Sequence, residues 1–97
     1  MSLIVDFSIF PIGKGESVST YVAKAAKIIK ESGLPHQLGP MGTTIEGSWE
    51  EIAPLISRCL QALSAECPRI YFNLKGDFRK GREKGMEGKV KSLTEKI

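Results

Sequence analysis

Apolar and polar residues alternate from Leu3 to Phe10: Leu3, Val5, Phe7 and Ile9 fall on one side, and Ile4, Asp6, Ser8 and Phe10 on the other. A period of two predicts a β-strand with one greasy and one mixed face. Pro11 to Glu16, with two glycines, ends it. The period then changes to that of a helix. Val18, Val22, Ala25 and Ile29 recur at i, i+4, i+7 and i+11, flanked by Tyr21 and Ile28, with Lys24, Lys27 and Lys30 outside. Ser17 can cap this helix, and Gly33 supplies a left-handed stop. Short strands follow at 36–39 and at 43–47, where Ile45 opposes Thr44 and Glu46. The stretch Gly39 to Gly47 is poor in core-forming residues, which marks it as a turn leading into a strand that shows a polar face.

Ser48-Trp49-Glu50-Glu51 is a capping-box pattern, opening a second helix with Ile52, Leu55, Ile56, Cys59, Leu60 and Leu63 inward. Pro54 falls past the first turn, so either the opening turn is 3₁₀-like or the helix proper begins later. Arg69 to Lys75 alternates again, with Ile70, Phe72 and Leu74 against Tyr71, Asn73 and Lys75. Met86, Val90, Leu93 and Ile97 form a sparse helical stripe, diluted by Gly85 and Gly88 and suited to packing on a neighbouring subunit.

The order β-α-β, β-α-β plus a terminal helix predicts an α+β, ferredoxin-like (βαββαβ) sandwich. A four-stranded antiparallel sheet should carry two helices on one face, over Val5, Phe7, Ile45, Phe72 and Leu74. Residues 1–97 should form one domain. The second face then collects Ile4, Asp6, Ser8, Phe10, Gln37, Thr44, Glu46, Tyr71, Asn73 and Lys75. It is too apolar for water and too polar for a core, so it suits a second subunit, a small molecule, or a pocket where the two meet. The plain alternative is that Asp6, Glu46 and Lys75 form cross-strand ion pairs of little energetic weight.

Composition narrows the classes. With 41% apolar and 26% charged residues the chain reads as an ordinary globule. No run approaches a membrane span, and the N-terminus lacks a basic leader, so a cytoplasmic location is expected. The net charge of +3 resides in residues 79–97, which carry +4, while the remainder carries −1. This is a tail property and argues against nucleic acid. The shared sheet topology raises an RNA-binding reading, but the third strand has Thr-Thr-Ile-Glu where stacking aromatics belong. Cys59 and Cys67, about 12 Å apart on a continuous helix, are too distant for a disulfide. With one His they make no zinc site, and both are expected as buried hydrophobes. Gly13-Lys14-Gly15 is not a phosphate-loop motif, and His36 has no nucleophile set around it. No metal, cofactor or catalytic group is expected.

Three segments carry a family likeness. Ser8 to Ser19 (SIFPIGKGESVS) resembles the opening of the small thiamine-binding, YkoF-like proteins, and Pro40 to Gly47 (PMGTTIEG) resembles their central motif. Lys75-Gly76-Asp77-Phe78-Arg79 is similar to their fourth-strand ending, with Gly76 in place of a larger apolar residue. The resemblance implies a ferredoxin-like fold, assembly into dimers or dimers of dimers, and binding of thiamine or its hydroxymethylpyrimidine part. It implies no established reaction. Chemistry then assigns candidate ligand contacts: ring stacking on Phe10 or Tyr71, and Glu46 or Asp6 as acceptor for the amino group. Acids or aromatic faces favour the thiazolium cation, and Ser8, Ser19, Thr43, Thr44, Asn73 and Asp77 offer further polar contacts. Two other readings remain. One is a ligand-free homo-oligomeric interaction module; the other is an enzyme on a pyrimidine or amine with Glu46 or Asp77 as general base.

Overall fold

In the computed structural model, residues 2–16, 18–81 and 84–97 are described. The chain runs β1 (Ser2–Pro11), α1 (Val18–Glu31), β2 (His36–Leu38), β3 (Thr43–Gly47), α2 (Trp49–Ser64), β4 (Ile70–Arg79) and α3 (Gly85–Lys96). The sheet is antiparallel throughout its pairings, in the order β2-β3-β1-β4. This is the ferredoxin-like arrangement. Val5, Phe7, Ile9 and Ile45 meet Ala25 and Ile29 of α1 and Ile52, Leu55, Ile56, Cys59 and Leu63 of α2 in one core. The expected cap Ser17 lies outside the described residues. Gly33, at φ +77°, ends α1 as its sequence position predicts.

Local chemistry accounts for α2. Ser48 Oγ accepts from the Glu51 N–H while the Glu51 carboxylate accepts from the Ser48 N–H, a complete capping box. The helix therefore begins at Trp49 and continues through Pro54, which it carries on its exposed side. The first bond is partly of the tighter 3₁₀ kind, since the Ser48 carbonyl accepts from both Glu51 and Ile52 at 3.1 and 3.0 Å. Both cysteines are free and buried. Burial pushes the Cys59 thiol up to about 11, which removes it from nucleophilic chemistry near neutral pH.

Strand β4 departs most from expectation. It extends to Arg79 and pairs with the whole of β1, from Pro11–Ile70 to Ser2–Arg79. Gly76 does not interrupt it, and a Cβ there would lie 3.3 Å from Leu3 Cδ1 and 3.7 Å from Val5 Cγ1, which take up the space. As the edge strand it is thinly covered. Phe72 sits on the helix side and meets Phe7 edge-on at 6.5 Å, yet is 43% exposed. The expectation that it would lie beneath the helices is corrected: α1 and α2 centre on β1 and β3, and their cover thins out over β4.

Candidate functional site

Register sorts the second face into rows, because directly opposed residues share a face. Ser2 faces Arg79; Ile4 lies between Glu46 and Asp77; Asp6 lies between Thr44 and Lys75; Ser8 faces Asn73; Phe10 faces Tyr71. Gln37 extends the Asp6 row through Thr44. None of the ion pairs among the described residues joins Asp6, Glu46 and Lys75 to one another.

The face is not uniformly open, and α3 covers one end. Glu46 is 7% exposed, and its carboxylate accepts from Ser2 Oγ at 2.5 Å, from the Gly85 N–H at 2.6 Å and from the Met86 N–H at 3.2 Å. It thus caps the start of α3, whose preceding residue Lys84 has no side-chain cap of its own. An anion at a helix N-terminus satisfies orphan amides and the positive end of the dipole. On the same row Ile4 is buried, and Asp77 pairs with Lys89 of α3 at 2.5 Å. The picture of a bare sheet face is therefore corrected at this end. Glu46 and Asp77 hold the terminal helix, and Glu46 stands as an interior anchor where a ligand acceptor was expected.

The other end stays open and is indented. The β1–β3 ladder stops at Phe7–Thr43, while β1 runs on to Pro11. The missing strand leaves a notch of about 370 Å³ between β1, α1 and the loop joining β2 to β3. Ser8, Phe10, Thr43, Tyr71 and Asn73 line it on the sheet side, with Val18 and Val22 of α1 opposite. The Phe10 and Tyr71 rings lie 5.4 Å apart at 34°. The loop is pinned by the Gly39 N–H donating to the Gly42 carbonyl at 2.8 Å. A side chain at Gly42 would meet the Phe7 carbonyl at 3.0 Å and Asp6 Oδ1 at 3.2 Å, so the loop presses its backbone against both. The exposed Asp6 carboxylate therefore sits at the margin of the notch.

Five predicted residues thus converge here, with Asp6 beside them and Thr44 in Asp6's row. Ser19 does not join them: it is exposed on the first turn of α1 and does not line the notch. Sequence reasoning missed three apolar walls, Val22, Leu38 and Met41, all exposed. Val22 was expected on the inward stripe of α1, but the core takes only Ala25 and Ile29 from that stripe and Val22 borders the notch instead. A Met between Pro and Gly in a turn was the one signal available. A larger hollow of about 970 Å³ runs beside α3, lined by Glu46, His36, Met86 and Val90 among others, and none of the convergent notch residues borders it. Among the described residues no cluster of His, Cys, Asp or Glu is set to hold a metal, and no helix is long and apolar enough to cross a membrane.

Comparison with known proteins bears on the family and the fold. The model of a family described as thiamine-binding protein matches residues 5–94. A UPF0045 protein of Mycobacterium tuberculosis is 38% identical over 94 residues, 96% of this chain and 92% of the relative. The crystal structure of the hypothetical protein MJ1052 from Methanocaldococcus jannaschii superposes with a TM-score of 0.88 at 35% identity, covering 97% of each chain. A Thermotoga maritima protein, provisionally described as one of thiamine biosynthesis or salvage, shares the fold with a TM-score of 0.86. It is 24% identical, with 96% of this chain and 99% of that one covered.

Proposed function

Because the chain belongs to the thiamine-binding protein family, we propose that the notch beside β1 binds thiamine, or its hydroxymethylpyrimidine part, and catalyses no reaction on it. One observation carries the reading. An aromatic pair, Phe10 and Tyr71, stands next to Ser8, Asn73 and Thr43 around one concavity, with the Asp6 carboxylate at its margin. Its volume falls within the range usual for small-molecule sites. The aromatic rings offer a face for a flat heterocycle, and the hydroxyls and amide offer bonds to its edge. Asp6 takes the counter-ion role for the thiazolium, a part that Glu46 is too engaged to play. Among the described residues that line the notch none resembles an activated nucleophile, so buffering, carrying or sensing the vitamin fits better than turnover.

Calorimetry with thiamine tests this. Heat should appear at micromolar to millimolar ligand, and Asp6→Asn and Tyr71→Ala should each weaken binding about tenfold or more, the equivalent of ~1.4 kcal/mol. Both positions are exposed, so the variants should keep wild-type circular dichroism. Absence of heat and of any thermal shift at saturating thiamine defeats the proposal.

A second reading, self-assembly, has its own support. Val90 and Leu93 lie exposed on α3 and Ile97 at its C-cap, with Leu93 at 64%, and β4 is an edge strand of ten residues. Both surfaces suit a second copy of the chain, in a dimer or a dimer of dimers.

A further inference from the structure

Strand β1 outruns its partner, and the consequence falls on one peptide unit. The Ile12 N–H donates to the Arg69 carbonyl at 2.9 Å, on the β4 side, so even-numbered residues of β1 turn their backbone groups toward β4. The Glu46 N–H donates to the Pro35 carbonyl at 2.9 Å, on the β2 side, so odd-numbered residues of β3 turn theirs toward β1. Phe7 and Thr43 make the last rung of that ladder. Ile9, the next odd residue, aims its N–H and C=O the same way, where β3 no longer runs. Ile9 is only 5% exposed and borders the notch. No hydrogen bond among the described residues closes on that side of it. A peptide donor and acceptor that no strand pairs, on the wall of a concavity, are ready contacts for whatever occupies it.

We propose that the Ile9 peptide edge is the specificity element of the notch, taking the place of a β3 residue with a planar heterocycle whose ring nitrogen adjoins an exocyclic amine. The Ile9 N–H donates to the ring nitrogen, and the ring's amine donates to the Ile9 C=O. A residue of β3 would make the same two-bond exchange. The ring lies in the plane of the sheet as a surrogate strand. Val18 and Val22 cover its helix side, and Ser8 and Phe10 border the other. The aminopyrimidine of thiamine carries this donor–acceptor edge, so the inference rests on the function proposed above and names the atoms that read it. Replacing the amine by a carbonyl protonates the ring nitrogen and reverses the pattern, which sets donor against donor. Mismatched buried polar groups discriminate strongly.

The test is a titration of the uniformly ¹⁵N-labelled full chain, followed by amide NMR. The probes are 4-amino-5-hydroxymethyl-2-methylpyrimidine and its 4-oxo counterpart, with thiamine alongside. The Ile9 amide should shift to saturation, its exchange with solvent should slow about tenfold or more, and the oxo compound should bind at least about tenfold more weakly. Val22→Trp, which fills the notch from an exposed helix position, should abolish the shift. Heat from the aminopyrimidine and shifts elsewhere in the notch, with Ile9 exchange unchanged or the oxo compound bound equally well, overturn the Ile9 assignment and leave the vitamin site standing. Binding and Ile9 shifts that survive Val22→Trp overturn it as well. If neither thiamine nor the pyrimidine binds, both readings fall.

Discussion

Glu46 shows how periodicity can place a side chain on the right face and still leave its partners unannounced. The alternation of Thr44, Ile45 and Glu46 puts its carboxylate on the helix-free face, where the register finds it. Its partners lie 39, 40 and 44 positions away in sequence, at Gly85, Met86 and Ser2, and no local spacing announces them. The carboxylate holds two amides of a helix whose flanking Lys84 sits in the left-handed region at φ +51° and donates no cap. Glu46→Ala should therefore free the start of α3 before it disturbs the rest of the sheet. Charge-assisted bonds of this kind contribute about 2 kcal/mol each, and the loss should appear as faster amide exchange along residues 85–96 with slow exchange retained in β1. Uniform loss of protection across the sheet would refute the view that Glu46 acts chiefly on the helix.

Among the elements, α2 was the most legible, because everything that starts it lies within four residues. Ser48→Ala should cost about 1 kcal/mol, read as a lowered midpoint in urea. Hydrogen bonds from the Ser48 backbone and side chain hold the Glu51 carboxyl below its ordinary value of 4.5. Glu66 is lowered as well, first by its hydrogen bond from Lys24, which ties α1 to the end of α2 at 2.8 Å. A carboxyl whose folded value is depressed stabilises the native state above its unfolded value, and that contribution fades as pH falls through the folded value. The share of stability these two carboxyls supply should thus be present above about pH 4.5 and fade below it. Glu51→Gln should flatten part of that decline, measured by urea titration at successive pH values; an unchanged acid limb would contradict it. Strand β4 was less legible. Its apolar residues pair with β1 along their whole length, but nothing local reveals that the helices leave an edge strand half covered, as Phe72 shows.

Over the molecule as a whole, two helices fill one face of the sheet and the third divides the other. At one end Ile4, Glu46 and Asp77 lie against α3; at the other, the early stop of β3 opens the notch by Asp6, Phe10 and Tyr71. The topology was legible because hydrophobic period alone separates these strands from these helices. The division was not, since it depends on where a Gly-diluted helix docks and on β3 being shorter than β1. The outer stripe of α3 and the notch share no residue, so assembly and ligand binding should be separable. Leu93→Glu places a charge on the exposed stripe and should lower the mass measured by light scattering while leaving the heat of thiamine binding intact. Tyr71→Ala should do the reverse. Loss of both properties together from Leu93→Glu would mean that the notch is completed by a second copy of the chain, and the lining described for a single protomer would then be one half of the site.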